Sequence, residues 1–288
     1  MILVAGATGN LGGMVTRRLL EAGHPVRALV REHSDYHGLE EAGAEIAFGD
    51  LRSPPALQKA CAGMTKVLCT ASASGRSDES IEEVDGRGVT NLIDAAEAAG
   101  VERFVYVSAY GFDVIDAPIA TAKRKNEARL KDSAMDWTIL KPTAFMEAWI
   151  GWVVGAQLGE GPRVAIVGDG TEPMGFVAST DVADLCVAAL ERDEAANREI
   201  PLIAEVATMG EVLEKVREVT GMDFEVEHLA AGEAPPGFPP IIASLWKELQ
   251  KPSYAVTTDT IETYGLKPVT LEAFTRQAFG SGAAPGGH

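Results

Sequence analysis

Residues 2–12, Ile2-Leu3-Val4-Ala5-Gly6-Ala7-Thr8-Gly9-Asn10-Leu11-Gly12, decide how the chain is read. A short apolar run leads into three glycines spaced three apart, and a helical pattern begins at Leu11. The order is strand, tight turn, helix. Gly6 can supply the backbone angles of the turn, Gly9 lets a phosphate reach the main chain without meeting a Cβ, and Gly12 lets the helix lie close on the strand. The unpaired N–H groups at the helix start and the positive end of its dipole make an anion site suited to a pyrophosphate. A dinucleotide is the expected ligand. The first gap is one residue longer than in G-x-G-x-x-G, with Ala7 where the second glycine would stand, but a second β-like run, Val26–Val30, arrives where a βαβ unit requires it.

Working outward, β-like and helical segments alternate without a break. Helical patterns cover 39–42, 56–61, 81–99 and 119–131, and nearly all-apolar strands cover 46–48, 67–69, 104–107 and 137–140. Such alternation predicts a doubly wound α/β fold, a parallel sheet buried on both faces. Ligands in these sheets sit beyond the carboxyl ends of the strands, which places Arg31, Asp50-Leu51, Ala71-Ser72 and Ser108-Ala109-Tyr110 where function is expected. Past residue 150 glycines interrupt the chain, and helical patterns at 181–190 and 209–219 flank a strand at 200–203. The expected division is a Rossmann domain over 1–150, a smaller mixed α/β substrate lobe over 151–279 interleaved with it, and a flexible Gly/Ala/Pro tail over 280–288. A stiff proline-rich loop at 235–240 should lead into an apolar helix at 241–249.

Composition narrows the partners. The chain of 288 residues carries 42 acidic against 25 basic side chains, a net charge of −17, which repels phosphate backbones and anionic lipid, so neither a nucleic acid nor a membrane is an expected partner. A strand beginning at residue 2 and the lack of any bilayer-length apolar run suggest a soluble, cytoplasmic protein without a targeting peptide. Cys61, Cys69 and Cys186 are odd in number and far apart, which fits buried apolar residues rather than disulfides or zinc ligands. His33 and His37 have no third ligand in sight and read as a surface loop, so no metal is expected.

Arg31 follows the second strand where NAD-binding proteins place an acid on the ribose hydroxyls; an arginine there suits a 2′-phosphate, which its planar fork can grip with two parallel hydrogen bonds. Glu32, one residue later, would favour NAD(H) if it took the ribose instead. The arginine leads us to favour NADP(H).

Gly6 to Gly12, the strand ending in Leu29-Val30-Arg31, Gly49-Asp50-Leu51, Val105-Tyr106-Val107-Ser108, Thr138-Ile139-Leu140-Lys141-Pro142 with Phe145-Met146, and Asp181-Val182-Ala183 together resemble the atypical short-chain dehydrogenase/reductases of the NmrA-like and isoflavone-reductase-like group. The resemblance reaches to about residue 190. It implies that Thr8, Gly9, Asn10, Leu11 and Gly12 hold the pyrophosphate, Arg31 the 2′-phosphate and Asp50-Leu51 the adenine edge. It also implies that Ala71 and Ser72 line the ribose and that Pro142 to Phe145 cover the nicotinamide. Asp50 as a helix cap and Phe145 as a core residue are the structural alternatives.

Many members of that superfamily use Tyr-x-x-x-Lys, but Ile119 stands four residues before Lys123. Lys123 lies fifteen residues before Thr138, the spacing at which isoflavone-reductase-like enzymes place a catalytic lysine. A partly desolvated lysine beside a cofactor can serve as a general acid; the plain alternative is a solvent-facing i,i+4 pair with Glu127. Tyr110 and Ser108 are further proton-donor candidates. The expected function is NADP(H)-dependent reduction of a small, largely apolar carbonyl, quinone or enone, with the aromatic stretch Phe145, Met146, Trp149, Ile150 and Trp152 as substrate surface or core. The missing tyrosine keeps open a non-catalytic NADP(H) sensor or assembly factor acting through a protein partner, and, more weakly, a sugar-nucleotide epimerase.

Overall fold

The computed structural model describes residues 1–73, 80–230, 232–238, 246 and 259–280. The expected helix at 241–249, residue 246 excepted, the end of the loop at 239–240 and the tail from 281 onward lie outside them. The chain divides into two compact units: Met1–Lys141 with Val182–Pro201, and Pro142–Asp181 with Leu202–His288.

The first unit is built on a seven-stranded sheet. Its strands are β1 (Ile2–Ala5), β2 (Val26–Val30), β3 (Glu45–Phe48), β4 (Lys66–Cys69), β5 (Arg103–Val107), β6 (Asp136–Pro142) and β10 (Arg198–Leu202), ordered β10-β6-β5-β4-β1-β2-β3. From β3 through β6 every pairing is parallel. β1 and β5 are buried at every position, as strands covered on both faces must be. The order reverses at β1, so β1, β2 and β4 present their carboxyl ends around one crevice. Helices α1 (Asn10–Glu21), α2 (His37–Glu41), α3 (Pro54–Cys61), α4 (Val89–Ala98), α5 (Pro118–Lys131) and α7 (Ser179–Glu191) complete the wind, the last beginning in the other unit.

Two features depart from the sequence expectation. The helix expected over 81–99 is π-wound from Glu82 to Gly88 before it becomes α4. Gly88 makes the close approach possible: a Cβ there would stand 2.7 Å from the Glu83 carbonyl oxygen and 2.9 Å from the Leu51 Cβ. Second, α5 buries a polar face, since Lys123, Asn126 and Glu127 join Ala120, Ala122 and Leu130 on its covered side. Buried polar groups require partners: Lys123 and Glu127 find theirs at the ends of β5 and β6, and Asn126 finds the Asp85 backbone oxygen and Thr90 on the neighbouring helix.

The second unit holds β7 (Ala144–Phe145), β9 (Pro173–Val177) and β11 (Glu205–Thr208) in one sheet and β8 (Arg163–Val167) parallel to β12 (Glu225–Leu229) in another. None of these strands was expected from the sequence: β7 is two residues long and Gly175 interrupts β9, whereas β8 and β12 are unbroken five-residue runs that were not singled out. The aromatic stretch after β7 is a second π-helix, Glu147–Val154, leading into α6 (Gly155–Glu160). Met146, Trp149 and Ile150 are buried in this unit, with Trp149 edge-on to Trp246 at 5.2 Å. Trp152 is exposed and lies 4.8 Å from the Phe238 ring. α8 (Met209–Thr220) starts with a capping box, Thr208 and Glu211 satisfying each other's backbone N–H. Among the described residues no helix is long and apolar enough to cross a membrane.

Candidate cofactor site

A cleft of about 490 Å³ opens at the carboxyl ends of β1 to β4. Of the residues expected to bind the cofactor, Gly6, Thr8, Gly9, Arg31, Asp50, Leu51, Ala71 and Ser72 line it. Gly6 has φ +85°, the left-handed turn assigned to it. Asn10, Leu11 and Gly12 form the first turn of α1 instead of the cleft wall. Gly12 is buried beneath: its Cβ would fall 2.1 Å from the Gly6 carbonyl oxygen, so helix and strand touch only because it has no side chain. α1 begins at Gly9 with no side-chain cap and no acid in its first turn, which keeps the dipole end fit for an anion. Pro142 ends β6 and Phe145 belongs to the second unit; neither is among the cleft-lining residues.

Arg31 lines this cleft and an adjoining hollow of about 460 Å³, whereas Glu32 faces only the hollow. Ser34, Asp35, Arg52 and Val84 also line the cleft and were not singled out from sequence; so do Thr70, at an expected strand end, and His33, expected only as part of a surface loop. Asp50 does not cap α3, a place taken by Ser53. Its carboxylate accepts from Arg52 Nε at 2.9 Å and Nη2 at 2.7 Å, and that bonding holds its pKa below the usual carboxylate value.

At the end of β5 the structure brings Ser108 and Lys123 together. Lys123 is 6% exposed; its Nζ donates to the Val107 carbonyl at 3.2 Å and sits 5.2 Å from the Tyr106 ring centroid. Desolvation pulls its pKa below the ordinary lysine value, against the opposing charge of Asp85. The solvent-facing pair with Glu127 is thereby excluded: Glu127 accepts the Ser108 hydroxyl proton and stands 3.1 Å from Lys141 Nζ, which also reaches Glu199 at 2.6 Å and Asp113 at 3.6 Å. Burial works against the Lys141 charge, yet Glu199 and Glu127 raise its pKa overall. Ser108 therefore spends its proton on a carboxylate. Tyr110 lies two residues beyond, half-buried.

Asp85, wholly buried in the π-helix, ties this region to the cleft. Its carboxylate accepts from Ser72 Oγ at 2.6 Å and from the Ala73 N–H at 2.8 Å, while its backbone oxygen accepts from Asn126. The signal in the sequence was an acid at a position of the 81–99 stretch that faces the core, where aliphatic residues surround it.

Comparison with known proteins agrees with this geometry. The chain matches the family described as NAD(P)H-binding over residues 6–193. It is 32% identical over 203 residues to the photosystem II assembly factor Ycf39 of Cyanophora paradoxa, covering 70% of this chain and 63% of that protein, so the chain spans less than two thirds of that relative's length. It is 31% identical over 212 residues to the NAD(P)H azoreductase of Xenophilus azovorans, covering 73% of this chain and 70% of that one. The triphenylmethane reductase of a Citrobacter species, crystallised with NADP(H), shares the fold with a TM-score of 0.82 at 23% identity, over 96% of this chain and all of that one. A glycine turn under an uncapped helix, a cleft at the carboxyl ends of the strands and a matched family domain lead to one conclusion: the chain belongs to the NAD(P)H-binding family, on a Rossmann fold.

Proposed function

We propose that the chain is an NADPH-dependent reductase of a small, largely apolar carbonyl, quinone or enone. The observation that carries the reading is Lys123, an ammonium buried at the end of β5 and drawn toward its neutral form. Bound NADPH would supply the hydride. The uncapped start of α1 would hold its pyrophosphate, Arg31 its 2′-phosphate, and Thr8, Gly9, Ala71 and Ser72 the wall between. Lys123 would then give its proton to the oxygen of the reduced acceptor, a task suited to a lysine whose desolvation lowers the cost of losing it. The reductase class is also that of the azoreductase relative. Oxidation of NADPH in the presence of a panel of quinones and enones, in wild type and Lys123→Met, is the test. Lys123→Met should lower kcat by roughly a hundredfold or more, the scale of general acid–base work.

One observation favours a second reading, a cofactor sensor or assembly factor acting on a protein partner. Ile119 stands where a tyrosine would relay the proton, and Ser108 gives its hydrogen bond to Glu127. A relative at 32% identity is an assembly factor. This reading expects clear NADPH binding with no oxidation above background for any acceptor.

A further inference from the structure

The cleft wall beside Arg31 carries a second guanidinium that no sequence pattern announces. Arg52 lies four residues past the end of β3 and lines both the cleft and the adjoining hollow, as Arg31 and His33 do. Its Nε and Nη2 donate to the two oxygens of Asp50, and its own backbone N–H donates to Asp50 Oδ1 at 2.8 Å. Three hydrogen bonds onto one carboxylate fold the arginine back on its own turn. An arginine side chain otherwise loses much rotamer freedom when a ligand fixes it, and here that ordering is already present.

We infer that Arg52 is a second residue selecting the 2′-phosphate, and that Asp50 is its positioning residue instead of a contact to the adenine edge. The inference deepens the NADPH reading and rests on it. Arg31 and Arg52 stand on the turns after neighbouring strands β2 and β3, whose register pairs Val30 with Phe48. A phosphate dianion between two such turns can meet donors from both sides, and a guanidinium fork suits it better than a point charge. Asp50 and Asp35 on the same wall would repel a phosphate that arrived without both arginines.

Dissociation constants for NADPH and NADH, read by intrinsic tryptophan fluorescence on wild type, Arg52→Ala, Arg52→Lys and Asp50→Ala, test the assignment. Arg52→Ala should weaken NADPH about tenfold and leave NADH unchanged, with Arg52→Lys recovering only part, because a lysine cannot make the paired bonds to Asp50 that hold the charge in place. Asp50→Ala should weaken NADPH several-fold and spare NADH, although it removes a negative charge from the wall. Three results would overturn the inference: Arg52→Ala with the preference intact, Asp50→Ala weakening both cofactors equally, which returns Asp50 to the adenine, and Asp50→Ala tightening NADPH, which makes it a mere neutraliser. Equal affinities in the wild type would instead remove the NADPH reading itself.

Discussion

Gly9 and Gly12 stand three residues apart and fail differently. Gly9 has φ −78°, open to any residue, and a Cβ there would meet only the Gly6 oxygen, at 3.2 Å. Gly9→Val should fold, with a melting temperature within a few degrees of wild type, and lose NADPH binding because its side chain occupies the phosphate approach. Gly12→Ala puts a methyl 2.1 Å from the Gly6 carbonyl and should lower the melting temperature sharply. Lys123 gives the opposite pairing of effects. Its folded pKa is lowered, so burying the charge costs stability at pH values below that pKa, and stability rises as pH climbs toward the unfolded value. Lys123→Met should therefore leave chemical stability at pH 7 unchanged or raised while kcat collapses. The wild-type rate should fall on its alkaline side below 10.5, the ordinary lysine pKa. Position relative to the first two strands singled out Arg31 and the glycines, whereas Lys123 came from the resemblance to isoflavone-reductase-like enzymes, and its burial is set by contacts distant in the chain. Arg52 was not legible, because what places it is a hydrogen-bonded turn whose pattern, Asp-Leu-Arg, is common.

Among the elements, α5 and β6 meet over charges. Lys141 and Glu127 are both nearly inaccessible, so removing the lysine takes the cation from a buried carboxylate and leaves it the Ser108 hydroxyl as hydrogen-bond partner. Lys141→Met should cost about 3–5 kcal/mol in urea unfolding, and Lys141→Met with Glu127→Gln should regain much of it, because the uncompensated buried carboxylate is gone. Equal losses in single and double variants would mean that packing of the lysine stem, and not its charge, matters. Periodicity could find α5 but not its polar burial, and it could not separate α from π winding at Glu82–Gly88, since that stretch holds a single apolar side chain, Val84, from which no period can be read. Asp85 was legible as an acid in register with the buried Val89 and Leu92, but its partners, Ser72 Oγ and the Ala73 N–H, belong to a loop that periodicity does not place.

At the scale of the whole molecule the net charge of −17 acts on the approach of an anionic cofactor. Raising ionic strength from about 0.01 to 0.15 M shortens the Debye length from about 30 to 8 Å and should speed NADPH association in stopped flow. A slower association would mean that the arginines at the cleft, and not the chain as a whole, set the field that the cofactor meets. The sheet itself was legible from alternation of apolar runs, because the inner strands of a doubly wound core are covered on both faces, as β1 and β5 are here. The last strand of that sheet, β10, comes from residues 198–202, after the chain has left the first unit at residue 142 and returned at 182. During synthesis the carboxylates of Asp193 and Glu199, partners of Arg103 and Lys141, leave the ribosome roughly 60 to 90 residues after those cations, several seconds at ordinary rates of translation. Until then β6 is an open sheet edge whose Lys141 lacks the Glu199 carboxylate among its partners. A nascent chain stalled near residue 150 is expected to expose that edge to chaperones and to pairing with other chains, whereas one stalled after residue 202 has the means to close it.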